Sequence, residues 1–207
     1  MIPTYLNDLE LPQVFSLSSQ EVVNYIQESN KDEHIVDSES QRISGFVSAT
    51  FGQCEDAAQK YFSIENPTTV PFALLQVDNG LIKSHDVRKC DCIIVNDAYI
   101  GFIEFKANAT SDCNMTVRKN CWKAMEQLKA TIEVFNQRYI HQRKNIKSYR
   151  SNVEAFICFR PGYPKIKSSQ INYRVRFKKM ILAYPYLSIG RKYYRAVTKQ
   201  FYAHVRS

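Results

Sequence analysis

The chain has 207 residues, of which 44% are hydrophobic and 13% aromatic, and its formal net charge is +8. Charged residues make up 23% of the chain, close to the globular average of about 25%, so the composition excludes disordered and fibrous proteins. We expect one domain over residues 1–207. No apolar run approaches the roughly 18 residues that cross a bilayer, and the first residues lack the pattern of a secretory signal. These features predict a cytoplasmic protein with no membrane partner.

Six cysteines are present, but no two of them form a CxxC pair. The Cys90-x-Cys92 pair has no second half with metal-ligand spacing, which argues against a zinc site. Both cysteines fall on one face of a predicted strand, where small apolar side chains pack well. We therefore expect reduced thiols that pack in the core.

Charge is distributed unevenly along the chain. Residues 1–60 carry 3 basic and 10 acidic side chains, residues 61–137 carry 8 and 9, and residues 138–207 carry 17 and 1. So basic a segment repels itself unless a polyanion or an acidic surface lies nearby. Nucleic acid is the first candidate partner. The alternative is a solvated basic face that the acidic N-terminal residues compensate.

Helices and a loop are predicted for the first third of the chain. Ser18, followed three residues later by Glu21, predicts a short capped helix. The polar, acidic stretch 29–41 predicts a loop. Residues 45–62 predict a helix that ends before Asn66-Pro67, because three apolar residues recur on one stripe: Phe51, Ala58 and Phe62.

Three strands, a long helix and a further strand are predicted next. The strands cover residues 72–77, 87–95 and 99–107, with a turn at Asn96-Asp97 between the last two. An amphipathic helix follows over 115–139, and then a strand over 152–160. The basic residues beyond 160 predict additional strands and a last short helix. The order helix, three strands, helix, strand predicts an α/β fold.

The predicted hairpin carries the residues most suited to chemistry. Glu104 and Lys106 are two apart on a strand, so both project from one face, while Phe105 points to the other. If the loop spans residues 96–99, Asp91 lies directly opposite Glu104, whereas a two-residue loop makes the two carboxylates diagonal neighbours. The sequence predicts a carboxylate pair in either register.

Two neighbouring carboxylates on a half-buried sheet repel each other, which raises a carboxylate pKa unless a positive charge lies between them. A cation resolves the conflict: Asp91, Glu104 and the Phe105 backbone carbonyl are hard oxygen ligands suited to Mg²⁺, for which Mn²⁺ can substitute. Lys106 would then orient an attacking water and offset phosphate charge. The alternative is a surface salt bridge between Lys106 and a carboxylate on an exposed sheet face.

Asp91, twelve intervening residues and then Glu104-Phe105-Lys106 resemble the signature of the PD-(D/E)XK nuclease superfamily. The resemblance covers residues 45–160 and implies a restriction-endonuclease-like αβββαβ core, with a central mixed sheet flanked by helices. Residues 1–44 would then form a short acidic extension and residues 161–207 a basic one. The sequence departs from the superfamily name in one position, because Cys90 stands where the proline would be.

The resemblance also implies an activity: Mg²⁺-dependent hydrolysis of phosphodiester bonds in DNA, as an endonuclease, with a homodimer where both strands are cut. Members of the superfamily often place an acidic residue of the first core helix at the metal. Glu55 and Asp56 compete for that role, and we choose Glu55 because it shares the apolar stripe that faces the sheet. A polar residue of the second helix reaches the phosphate in some members, which makes secondary candidates of Gln127, Lys123 and Lys119.

The basic, aromatic C-terminal residues are suited to holding the phosphate backbone. The candidates for nucleic-acid binding are Arg174, Arg176, Lys178, Lys179, Arg191, Lys192 and Arg195. Three alternatives stay open at this point: a nuclease directed at RNA, a catalytically idle nucleic-acid-binding or assembly module on the same fold, and a basic adaptor for an acidic protein.

Overall fold

The computed structural model describes residues 1–38, 43–47, 61–106, 113–159, 187–189 and 197–200. This part of the chain is an α/β fold with a six-stranded sheet, a four-stranded sheet and one long helix. In chain order the strands are β1 (Ile26–Ser29), β2 (Glu33–Ser38), β3 (Ile43–Phe46), β4 (Tyr61–Glu65), β5 (Phe72–Gln76), β6 (Cys92–Val95), β7 (Tyr99–Lys106), β8 (Asn152–Phe159), β9 (Leu187–Ile189) and β10 (Val197–Gln200).

Short helices precede the first strand. A 3₁₀ turn (Thr4–Leu9) leads into α1 (Leu11–Phe15) and α2 (Ser19–Val23). The Glu21 backbone N–H donates to Ser18 Oγ at 3.2 Å, and the Ser18 N–H donates to the Glu21 carboxylate at 3.0 Å. The predicted capped helix is therefore confirmed, with the reciprocal bonds of a capping box.

The six-stranded sheet is mixed and has the order β1-β5-β6-β7-β8-β9. Strands β1, β5, β6 and β7 pair antiparallel, whereas β7, β8 and β9 pair parallel. The helix α3 (Asn114–Tyr139) makes the crossover from β7 to β8. The predicted bounds of these elements are confirmed to within a residue or two, except that β6 begins at Cys92 rather than at residue 87.

The four-stranded sheet has the order β10-β4-β2-β3 and overturns the predicted loop 29–41 and both ends of the predicted helix 45–62, of which residues 48–60 lie outside the described part of the chain. The predicted loop 29–41 contains β2, and the predicted helix 45–62 contains strand residues at both ends, in β3 and β4. Phe62 and Ile64 alternate with Ser63 and are buried against β2 and the larger sheet. The alternation of apolar and polar residues at 62–64, together with partner strands on both sides, makes this segment a strand despite the helical spacing of Phe62. The rest of the stripe, Phe51 and Ala58, lies outside the described residues.

Two apolar cores lie on opposite faces of the larger sheet. On one face α3 packs against β7, with the rings of Phe102 and Phe135 edge to face at 5.8 Å. The other core joins the two sheets, with Phe62 and Phe156 at 5.1 Å. No helix in the described part of the chain is both long enough and apolar enough to cross a membrane.

The cysteines around β6 are buried and form no disulfide. Cys92 packs in the core between the sheets and Cys90 in the core beneath α3. The burial of both thiols agrees with the prediction that they pack in the core. The prediction that Cys90 and Cys92 share one face of the strand is wrong, because Cys90 precedes the strand and does not follow its alternation.

Candidate active site

The register of the β6–β7 hairpin decides how the two predicted carboxylates meet. Val95 pairs with Ile100, and each step back along β6 is matched by a step forward along β7. The Asp91 backbone N–H, one residue before β6, also donates to the Ile103 carbonyl, at 3.1 Å, although Ile103 is already the partner of Cys92, so the ladder has a bulge at Asp91. The Val95–Ile100 pairing of the four-residue loop is therefore confirmed, but Asp91 lies at the bulge beside Glu104 and not in a direct cross-strand pair with it.

Glu104 lies in the interior of the sheet with 0% of its surface exposed. Its Oε1 accepts a hydrogen bond from the Lys106 ammonium, whereas Oε2 is buried with no hydrogen-bond partner among the described residues. Burial raises the pKa of Glu104 well above its usual range, and the charges of Asp91 and Asp37 raise it further, while Lys106 acts in the opposite direction. The carboxyl therefore favours its protonated form wherever no cation offsets its charge.

Asp91 is 9% exposed, and its Oδ2 accepts a hydrogen bond from the Phe105 backbone N–H. Burial raises the pKa of Asp91 to about 7, and the nearby charge of Asp37 adds to the effect. The Phe105 hydrogen bond and the Lys106 charge oppose this rise. The predicted conflict between carboxylates is present, and Lys106 offsets it only in part.

Lys106 connects the strand to the long helix. Its ammonium donates to Glu104 and, at 3.2 Å, to Gln127 Oε1 on α3. Gln127 Nε2 donates in turn to the Lys89 carbonyl at 3.0 Å. The alternative prediction, a surface salt bridge, is confirmed as far as the Lys106–Glu104 ion pair exists. It is wrong about the exposed location, because Glu104 is fully buried and the Lys106 side chain is 16% exposed.

Among the secondary candidates on the helix, only Gln127 contacts Lys106. Lys123 lies one turn earlier and lines a cleft of about 230 Å³, and Lys119 is exposed on the outer face of α3. The cleft opens beside Gln127 and is lined by Asp78, His85, Asp86, Val87, Arg88, Lys89, Lys123 and Gln127.

Asp37 is a site residue that sequence reasoning missed. It is exposed on β2, where Ser44 Oγ donates to its Oδ1 at 3.2 Å. Its charge raises the pKa of both Asp91 and Glu104, so it lies close enough to influence the pair. The apolar pair Ile35-Val36 before it was the only local sign of a strand, and the polar residues around it favoured a loop.

Other predicted site residues lie outside the described part of the chain. These are Glu55, the candidate on the predicted first helix, and the candidates for nucleic-acid binding: Arg174, Arg176, Lys178, Lys179, Arg191, Lys192 and Arg195. Their roles stay predictions.

The carboxylate pair fits a hard cation only as a partial ligand set. Among the described residues, no group of three His, Cys, Asp or Glu side chains is arranged to hold a metal ion. The buried Glu104 Oε2, however, is an oxygen that a cation would satisfy, and the Asp91 carboxylate lies nearby, on the N–H of the next residue, Phe105. Mg²⁺ commonly binds one or two carboxylates and takes waters and phosphate oxygens as its other ligands. Asp91 and Glu104 therefore fit Mg²⁺, with the Phe105 carbonyl as the predicted third protein ligand.

Comparisons of the chain with protein-family models, with curated proteins and with solved structures find no match.

Proposed function

We propose that the chain is a metal-dependent nuclease that hydrolyses phosphodiester bonds in DNA. The observation that carries the proposal is the buried pair Asp91 and Glu104, with the Asp91 carboxylate on the N–H of the residue after Glu104 and the Lys106 ammonium on Glu104 itself. Burying two carboxylates side by side lowers the stability of a fold unless the charges serve a purpose. A site kept at such a cost is more often functional than structural.

The order of the elements supports the same proposal. Strands β5, β6 and β7 form an antiparallel meander, and α3 then crosses to β8, which is parallel to β7. This order corresponds to the βββαβ part of the core that the resemblance to PD-(D/E)XK nucleases implies, with Asp91 just before its second strand and Glu104-Phe105-Lys106 on its third. We propose a restriction-endonuclease-like core on this basis.

Each residue has a role in the proposed reaction. Asp91 and Glu104 hold Mg²⁺ or Mn²⁺, together with the Phe105 carbonyl, and we retain Glu55 as a further proposed ligand. When bound, the cation supplies positive charge at the phosphate and activates water at neutral pH. Lys106 orients the attacking water and offsets the charge that develops on the phosphate oxygens. Gln127 positions Lys106 through their hydrogen bond.

The basic C-terminal residues would hold the phosphate backbone, which does not depend on base sequence. We propose DNA as the substrate, endonucleolytic cleavage, and a homodimer where both strands of a duplex are cut. An idle nucleic-acid-binding module is the competing function, and it differs from the nuclease in one respect that can be measured: it binds without cleaving.

The deciding experiment incubates the protein with labelled single-stranded, duplex and branched DNA, and with matched RNA, in Mg²⁺, Mn²⁺, Ca²⁺ or EDTA. We expect cleavage with Mg²⁺ and Mn²⁺, and binding with little cleavage in Ca²⁺, whose looser coordination positions water and phosphate less well. An Asp91→Asn preparation, purified identically, controls for contaminating nucleases. Undiminished cleavage in excess EDTA, or by Asp91→Asn, contradicts the proposal. Cleavage of RNA alone would reassign the substrate.

A further inference from the structure

Trp122 is exposed on the outer side of α3. It is the only tryptophan in the chain, and 52% of its surface is exposed, whereas the neighbouring Cys121 and Met125 are 1% and 6% exposed. Met115, two turns earlier on the same side of the helix, is 78% exposed. Large exposed apolar side chains grouped on one helix face are typical of an interaction surface.

Basic residues surround this aromatic ring. Arg118 and Lys119 lie four and three residues before Trp122, which makes them its neighbours on the helix surface, and Lys123 follows it directly. All three are exposed. Glu126 is the only acidic residue in the sequence from 115 to 127, and it is paired with Arg88 at 3.0 Å. The face of α3 defined by Arg118, Lys119, Trp122 and Lys123 is therefore complementary to an anionic partner with flat apolar groups.

The exposed surface of α3 continues from Trp122 around the helix, by way of Lys123, to the candidate active site. Lys123 is one turn before Gln127, both line the cleft of about 230 Å³, and Gln127 contacts Lys106. Trp122 is five residues from Gln127, about 7.5 Å along the helix axis and about 140° around it, and Lys123 lies between the two. A strand whose phosphate lies at Lys106 can therefore contact Lys123, turn around this part of α3 and bring a neighbouring base to Trp122.

We propose that Trp122 stacks an unpaired base of a nucleic-acid strand, with Arg118, Lys119 and Lys123 contacting its phosphates. This inference rests on the proposed function, and it names the substrate class as single-stranded or single-strand-ended nucleic acid. A base must have a free face to stack on an aromatic side chain, whereas bases inside a duplex are covered by their neighbours. A cationic surface that served only duplex phosphates would have no use for an exposed indole ring.

Trp122 reports on its own binding, because no other tryptophan contributes to the fluorescence. The protein is titrated with a single-stranded oligonucleotide and with a blunt hairpin duplex, in EDTA so that cleavage cannot occur. We expect saturable quenching of the Trp122 emission by the single strand and little change with the duplex. The titration is repeated at two salt concentrations, because phosphate contacts weaken as salt rises and stacking is less affected.

Variants then separate stacking from charge, with the anisotropy of a labelled oligonucleotide as the measurement. We expect Trp122→Ala to weaken single-strand binding by about tenfold, and Trp122→Phe to restore most of the affinity. Ile140→Ala is the matched control. Ile140 is 66% exposed and directly follows the C-terminal end of α3, so its truncation should leave binding unchanged.

Several outcomes overturn the inference. The first two are single-strand binding that leaves the Trp122 emission unchanged and the absence of any single-strand binding. A third is that Trp122→Ala weakens binding of the duplex and of the single strand equally. A fourth is an emission change that depends on protein concentration without nucleic acid, which would indicate that a second copy of the chain covers this face. Quenching without cleavage in Mg²⁺ keeps the stacking surface and rejects the nuclease. Cleavage without quenching keeps the nuclease and rejects the stacking surface.

Discussion

The ammonium of Lys106 on strand β7 donates a hydrogen bond to Gln127 Oε1 on helix α3, at 3.2 Å. The amide of Gln127 is itself held by the Lys89 carbonyl at 3.0 Å. The position of Lys106 beside Glu104 therefore depends on the packing of helix against sheet as well as on the strand that carries both residues. This relationship connects the stability of the fold to the proposed chemistry.

Asp91→Asn should abolish cleavage, because it removes a ligand charge from the proposed metal site. In metal-free buffer at pH 8 the variant should unfold at the same temperature as the parent or at a higher one. The substitution removes one of two neighbouring buried charges, and the asparagine keeps an oxygen that can accept the Phe105 N–H. Nuclease assays and thermal unfolding followed by circular dichroism measure the two effects.

Asp97→Asn is the matched control for this change, because Asp97 is exposed in the turn of the same hairpin. It should leave both activity and melting temperature unchanged. A fall of several degrees in Asp91→Asn, with nuclease activity intact, would mean that the pair is a structural cluster.

The metal-free protein should lose stability as pH rises from about 4 to about 7. The pKa of Asp91 is raised from 3.8 to about 7, so over this window the native state binds more protons than the unfolded state. The free energy of unfolding therefore falls with pH, by about 4 kcal/mol at most from this group. Urea unfolding at a series of pH values measures the slope, and Asp91→Asn should flatten it. Parallel curves for the two proteins would contradict the assignment.

Lys106→Ala should abolish cleavage and destabilise the metal-free protein more at pH 8 than at pH 5. Lys106 lowers the pKa of the buried Glu104, so its removal raises that pKa further. At pH 5 the carboxyl can take up a proton at little cost, whereas at pH 8 protonation becomes costly because the unfolded state is fully ionised. Lys119→Ala, at an exposed position of α3, is the control in the same urea experiment. An equal loss at both pH values would argue against this coupling.

The basic C-terminal residues should govern the salt dependence of nucleic-acid binding. Replacing Lys178 and Lys179 together, or Arg191 and Lys192 together, with alanine should weaken binding to every sequence alike. Each lost phosphate contact should reduce the slope of log K against log salt by about 0.9. Lys31→Ala, near β2, is the control and should leave the slope unaltered. If the paired variants also leave it unaltered, the basic segment faces another protein.

Local patterns in the sequence were sufficient for the hairpin and the long helix. The turn residues at Asn96-Asp97 and the alternation on both strands predict the hairpin and make Asp91 and Glu104 neighbours in either of its two possible registers. Apolar residues at helical spacing predict α3 from Met115 to Tyr139, one residue short of its observed start. Both patterns work because the interactions that select these elements are between residues close together in the chain.

Tertiary packing decided the rest. Strand β4 pairs with β2 on one side and with β10, more than a hundred residues further along the chain, on the other. No local window of sequence therefore contains the partners that make these segments strands. The same packing buries Glu104, brings the charge of Asp37 to the carboxylate pair and selects Gln127 over Lys123 as the partner of Lys106. The sequence by itself thus determined which two carboxylates are neighbours. Only the folded structure determined their desolvation and their charged neighbours, because both depend on segments that lie far apart in the chain and meet only when it folds.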